Sequence, residues 1–319
     1  MINALALTGP TASGKTVLSL LLAERLGCEI ISLDSMQIYK GMDIGTAKAD
    51  ESERKRVAHH MLDVVLPTDS YSTESYRKEA VACAAEIEKR GKIPLFVGGT
   101  GLYLDTLMRT ESKEVPASDP KWREELLSAV KTDEDIDKLW QRLADVDPVS
   151  SEKIHKNNVR RVARALEIYE KTGKPKSYFD ELSTRFAPDI KIGLITIDFH
   201  DREVLYERIN KRVDQMLDAG LADEVRALYQ NGLLKEGTTA SQAIGYKELL
   251  SFILGEVSLE EAIENIKLST RRYAKRQITW FRHEKDAERI YADGEDGRLL
   301  SVNELFDLAC SAAQRLLNK

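Results

Sequence analysis

A chain of 319 residues, 42% hydrophobic and 31% charged, has enough apolar surface for a sizeable core, which excludes wholesale disorder and points to one main domain carrying an insertion. The formal charge of −6 excludes a protein that coats nucleic acid by bulk charge, while leaving room for a local basic track. Cys28, Cys83 and Cys310 lie too far apart for a zinc or redox motif and read as buried free thiols.

The opening MINALALTGP has no basic n-region and no cleavage-site pattern, and no later stretch reaches the roughly 18 apolar residues of a membrane helix. The expectation is a cytoplasmic protein with no membrane partner. Ala4–Leu7 reads as a strand, followed by a glycine loop, a helix over Lys15–Leu26 and a second strand over Ile30–Asp34. A helix over Glu74–Arg90 stops at Gly91 and feeds a strand over Ile93–Val97, which closes on Gly98-Gly99-Thr100-Gly101. Helices are expected over Trp122–Val130, Glu134–Ala144 and Asn157–Thr172, the last ended by Gly173 and Pro175. The next strand, Ile192–Ile197, comes so late that the interval reads as a helical insertion hung on a parallel sheet. Asp201 caps a helix through Leu217, and Ser258 with Glu261 opens one running to Arg282. The fold expected is α/β, a P-loop NTPase-like parallel sheet flanked by helices, with an all-helical insertion domain. The core takes residues 1–112 and 191–319, and the insertion residues 113–190. Residues after Arg282 carry little signal.

Gly9-Pro10-Thr11-Ala12-Ser13-Gly14-Lys15-Thr16 fits G-x-x-x-x-G-K-[ST] between a strand and a helix, the context in which the pattern means phosphate binding. Backbone amides and the helix N-terminus cradle the anion, Lys15 adds a point charge and the Thr16 hydroxyl can ligate Mg²⁺. The carboxylate pair of a nucleotide hydrolase is missing, because the strand Ile93–Val97 ends in glycines. A kinase, or another transfer that binds or expels a diphosphate, remains. Asp34 ends its strand on the side where ligands bind in an open parallel sheet, so it reads equally as a base near the phosphates or as a turn-forming carboxylate.

The loop GPTASGKT, the run Ser32 to Tyr39 with Met42 to Lys48, and His59-His60-Met61-Leu62-Asp63 together resemble the tRNA dimethylallyltransferase family. So do Val97 to Tyr103, Arg160 to Glu167 with Thr172 to Pro175, Gly220-Leu221 with Glu224-Val225, Gln242 to Glu248 and Thr270 to Arg282, in the family's order. The resemblance implies transfer of a dimethylallyl group from dimethylallyl diphosphate to N6 of adenosine 37 in the tRNA anticodon loop, releasing diphosphate. It implies Mg²⁺ as cofactor, tRNA and the prenyl diphosphate as partners, and a monomer.

Under that resemblance Asp34 accepts the amine proton, and Gly9 to Thr16 with Mg²⁺ hold the leaving diphosphate. Thr100 contacts the amine or a phosphate oxygen. Arg208 and Arg212 share a helix face and close over the diphosphate, with Arg208 the better candidate. Asp34, Ser35, Met36 and Gln37 receive the flipped nucleotide, Gln37 hydrogen-bonding a base edge. Arg160, Arg161, Val162, Ala163 and Arg164 contact the tRNA, together with Gln242, Lys247, Arg271, Arg272, Lys275 and Arg276. Trp280 and Phe281 read as core. Three readings compete. A small-molecule kinase needs ATP but no basic insertion, an adenylate isopentenyltransferase takes a free nucleotide, and a non-enzymatic RNA-binding P-loop module needs neither Asp34 nor Thr100.

Overall fold

The computed structural model describes residues 2–108, 115, 119–184 and 189–318. The chain divides into two compact units, Met1–Met108 with Asp189–Lys319, and Arg109–Pro188. The expected start of the insertion, residue 113, lies outside the described residues.

The first unit begins with β1 (Ile2–Thr8), α1 (Lys15–Leu26), β2 (Cys28–Leu33), α2 (Glu51–Arg56), β3 (His59–His60), α3 (Thr73–Lys89), β4 (Ile93–Gly98) and α4 (Gly101–Met108). The second unit holds α5 (Pro120–Ser128), α6 (Asp133–Val146), α7 (Pro148–Lys153), α8 (Val159–Thr172) and α9 (Lys176–Thr184). The first unit resumes with β5 (Ile190–Asp198), α10 (Arg202–Asp218), α11 (Leu221–Gln230), α12 (Tyr246–Ile253), α13 (Leu259–Arg282), β6 (Glu288–Tyr291) and α14 (Val302–Leu317).

All six strands pair in parallel, in the order β3-β2-β4-β1-β5-β6. Helices cover both faces of such a sheet, so its strands are apolar throughout, and every residue of β2 is buried. Register then fixes the site. Thr8 of β1 and Leu33 of β2 both align with Gly98 of β4, so Gly9, Asp34 and Gly99 leave the sheet side by side at its carboxyl edge.

The ends of the sheet and its last helix are absent from the expectations. β3 has two residues and β6 four, too few for periodicity to register. For α14 a signal existed: Ser301 and Glu304 form a capping box, and Leu305, Ala309, Ala312 and Ala313 repeat at helical spacing and are buried in the core cluster that contains α1. Asp201 and Ser258 cap α10 and α13 as expected. Of the three free thiols only Cys28 is buried, and burial pushes it up to about 12; Cys83 and Cys310 are half-buried.

In the second unit Leu139, Leu143, Val162, Ala165 and Leu166 make a core of their own. Glu167 on α8 is wholly buried and is met by Arg123 and Arg164, with Lys171 at 3.8 Å.

Candidate active site

β1 ends in the loop because two glycines allow it. Gly9 has φ +143°, and a Cβ there would stand 2.7 Å from the Ile197 carbonyl of β5; Gly14, at φ +92°, is the N-cap of α1. Lys15 Nζ donates to the Gly9 carbonyl at 3.0 Å and the Pro10 carbonyl at 2.6 Å, which folds it across the loop. Burial, then the neighbouring Arg212 charge, lowers the Lys15 ammonium to about 7, against a smaller opposing effect of Asp34. A cation so disfavoured in the free protein gains stability when a polyanion arrives.

Thr11, Ala12, Ser13, Gly14, Lys15 and Thr16 line one wall of a cavity of about 400 Å³. Asp34, Ser35, Met36 and Gln37 line another, and Arg212, Tyr273, Arg276 and Gln242 also face it. Asp34 Oδ1 accepts from Met36 N–H at 2.8 Å, so the carboxylate shapes the turn, and it also faces the cavity. The remaining lining mixes polar and apolar groups, the apolar ones including Val213, Met216, Leu221 and Ile244.

Two expected residues, Thr100 and Arg208, are not part of that lining. Thr100 Oγ1 accepts from Ser35 N–H at 3.2 Å and is hydrogen-bonded to Tyr273. Arg208 Nε donates to the Ala12 carbonyl at 2.8 Å, bracing the loop from outside. The two arginines are placed differently: Arg208 reaches the loop backbone, while Arg212 faces the cavity with Lys15 and Asp34, and burial lowers its pKa while Asp34 opposes that. Gln37 uses both ends of its amide internally, accepting from Ser32 at 2.8 Å and donating to the Thr46 carbonyl at 3.1 Å.

Two residues of α13 escaped sequence reasoning. Gln277 accepts from Thr11 N–H at 2.9 Å and donates to the Gly99 carbonyl at 2.9 Å, tying the phosphate loop to the second glycine turn. Tyr273, one helical turn earlier, is held protonated by burial and by Asp34, which push it up to about 12. The only sequence trace of the pair is their spacing of four, which puts both on one helix face. The glycines of the turn have the same cause. A Cβ on Gly99 would stand 2.0 Å from Gln277 Nε2, and one on Gly101 would stand 2.4 Å from the half-buried Trp280 ring. Phe281 is buried in the core.

The basic candidates divide by environment. Arg160, Arg161, Arg272, Lys275, Arg276, Gln242 and Lys247 are exposed. Val162 and Ala163 must be withdrawn as tRNA contacts, since both are wholly buried on the apolar stripe of α8, where no RNA atom can reach. Arg164 is committed to Glu167, and Arg271 donates to Asn210 at 2.7 Å. Lys267 is neutralised by Asp214 and Arg282 by the buried Asp198, partners from other elements that a one-dimensional charge run cannot reveal. Among the described residues no group of three or more His, Cys, Asp or Glu could hold a metal ion. No helix among them is long and apolar enough to cross a membrane.

A parallel sheet whose central strand opens into this loop, with one carboxylate lining the same cavity, defines a P-loop-type α/β protein suited to group transfer. A family model described as IPP transferase matches residues 37–284, and the chain belongs to that family. It is 45% identical to a protein named tRNA dimethylallyltransferase from Thermoanaerobacter sp. strain X514 over 88% of this chain and 89% of that one. To the Bacillus licheniformis protein of the same name it is 48% identical, over 88% of each chain. The crystal structure of the full-length tRNA isopentenylpyrophosphate transferase from Bacillus halodurans superposes with a TM-score of 0.69 at 38% identity, covering 100% of this chain and 99% of that one. A eukaryotic dimethylallyltransferase described as acting on tRNA superposes with a TM-score of 0.77 at 31% identity, over 91% of this chain and 74% of its own.

Proposed function

We propose that this protein is a tRNA dimethylallyltransferase that moves the dimethylallyl group of dimethylallyl diphosphate to N6 of adenosine 37, next to the anticodon, releasing diphosphate. The observation that carries this reading is the convergence of the 11–16 loop, Asp34 and Arg212 on one cavity, part polar and part apolar, in a chain of the IPP transferase family. A hydrolase would need a water-positioning carboxylate pair where this chain has Gly98 to Gly101.

The residues divide the work by chemistry. An exocyclic adenine amine is a weak nucleophile because its lone pair is delocalised, so a carboxylate that accepts its proton as the new C–N bond forms lowers the barrier. Asp34, which lines the same cavity as the loop, takes that role. As the allylic C–O bond breaks, negative charge grows on the diphosphate, and Lys15, Arg212 and the loop amides are positioned in advance to receive it. Thr100 and Tyr273 hold the Ser35 turn in place behind Asp34, and Gln277 keeps the two glycine turns in register. Val213, Met216, Leu221 and Ile244 suit the prenyl chain and exclude water from the allylic carbon.

Mg²⁺ fits this arrangement. It binds through one or two protein oxygens plus substrate phosphates and water, so a single hydroxyl, that of Thr16, suffices beside a diphosphate. When bound it supplies charge neutralisation at the leaving group. The tRNA meets the exposed Arg160, Arg161, Arg272, Lys275 and Arg276. The protein acts as a cytoplasmic monomer.

The test is incubation with Mg²⁺, labelled dimethylallyl diphosphate and either unmodified tRNA or AMP, with ATP as a control donor. Label entering tRNA alone is the expected outcome. Label in neither acceptor sinks the proposal, and label in AMP alone makes the protein an adenylate prenyltransferase.

A further inference from the structure

Three stretches of the sequence, Met42 to Lys48, Gly220 to Val225 and Gln242 to Glu248, supply none of the charged groups used in the chemistry above. They meet at one side chain. Glu224, near the start of α11, accepts from Asp43 N–H at 3.0 Å and Ile44 N–H at 2.8 Å through Oε2. Its Oε1 accepts from Gly45 N–H at 3.2 Å and from the Tyr246 hydroxyl. Four donors, three of them consecutive main-chain amides, converge on one carboxylate.

The segment it grips is a wall of the active site. Gly45, Thr46 and Ala47 line the cavity, and Tyr246 lies so close to Gly45 that a Cβ there would stand 2.4 Å from its ring. Ala47 is left-handed at φ +45°, a conformation an alanine keeps only where its surroundings impose it. Lys48 closes the far side, donating to Asp43 at 2.6 Å, Asp63 at 2.7 Å and the Tyr39 carbonyl at 2.8 Å. Gln37, two residues before that tyrosine, holds the Thr46 carbonyl and is itself held by Ser32, next but one to Asp34.

We propose that Glu224 is a positioning residue for the transfer reaction: its carboxylate clamps the Asp43–Gly45 amides and thereby fixes the Gly45–Ala47 wall against which the reacting groups are aligned. Its hydrogen bonds go to Asp43, Ile44, Gly45 and Tyr246, and to neither the phosphate loop nor Asp34. Removing it therefore disturbs alignment and leaves the diphosphate cradle intact. Glu224→Gln is the sharpest substitution, because it keeps the size but turns an N–H₂ group toward N–H donors.

This inference rests on the transfer activity proposed above, and wild-type enzyme run in parallel separates the two: no label transfer by wild type defeats the activity, whereas a variant equal to wild type defeats only the positioning role. Active protein is normalised by the stoichiometry of Mg²⁺-pyrophosphate binding in calorimetry, so that partial unfolding is not counted as lost turnover. Glu224→Gln is expected to bind pyrophosphate within twofold of wild type, to lose at least tenfold in kcat/KM for transfer to tRNA, and to exchange the 43–45 amides faster. Full transfer per active molecule overturns the proposal. So does a parallel loss of pyrophosphate affinity, which would place the effect in the cradle. Should that variant fail to fold, Glu224→Asp retains a carboxylate one methylene short; a loss of threefold or more with unchanged pyrophosphate affinity is expected, and wild-type turnover again overturns the idea.

Discussion

Asp34 shows how one side chain shapes a turn and faces a cavity at the same time. One carboxylate oxygen closes the turn after β2, and the group faces the cavity that Lys15 and Arg212 share. Asp34→Ala is expected to keep tRNA affinity and lose about 10²–10⁴-fold in single-turnover transfer, the range for a proton acceptor. Unchanged turnover with labelled donor removes Asp34 as the base. Glu29 is the opposite case, a buried carboxylate with a purely structural load. The Arg90 guanidinium first, then His60 and Lys92, hold it at about 2, below its ordinary 4.5. A carboxyl lowered on folding stabilises above its unfolded pKa and loses that contribution as pH falls toward the folded value. Glu29→Gln should thus cost about 2 kcal/mol at pH 7, discounted for half-exposed partners, with the difference shrinking between pH 4.5 and 2. Urea titrations at pH 7 and pH 3 measure it; an equal penalty at both pH values refutes the linkage.

At the scale of elements, α13 organises the site. Tyr273 and Gln277 on one face meet the Thr100 turn and the phosphate loop, and Trp280 covers Gly101. Gly101→Ala forces a methyl into the Trp280 ring, and a loss of about 1–3 kcal/mol in denaturant stability is expected for such overpacking. A midpoint equal to wild type means the helix yields freely. α14 matters differently, because Leu305, Ala309, Ala312 and Ala313 fill the core cluster that holds α1, the helix that opens from the Gly9–Thr16 loop. A chain ending at Asp296 should expose that surface and aggregate, as gel filtration and circular dichroism will report. A soluble truncated protein that still binds pyrophosphate contradicts this.

For the whole molecule, a chain with a formal charge of −6 must take up a polyanion through local patches. If Arg160 and Arg161 contact phosphates, replacing either with Ala should weaken binding to every tRNA alike and flatten the dependence of log affinity on log salt by roughly one unit at most. Filter binding from 50 to 200 mM salt tests it, and an unchanged slope removes these residues from the interface. The phosphate loop, the parallel α/β sheet, the turn at Asp34 and the second glycine turn were legible in sequence because each is local: a few contiguous residues with a required backbone geometry and a strand or helix on either side. The different placements of Arg208 and Arg212, the burial of Val162 and Ala163 within an arginine-rich run, the neutralisation of Lys267 and Arg282, and the grip of Glu224 on a loop some 180 residues away were not. A sequence lists which groups are available at which spacing. Which cation faces the cavity, and which is already spent on a partner, depends on contacts between elements remote in the chain, and only packing the sheet against its helices decides them.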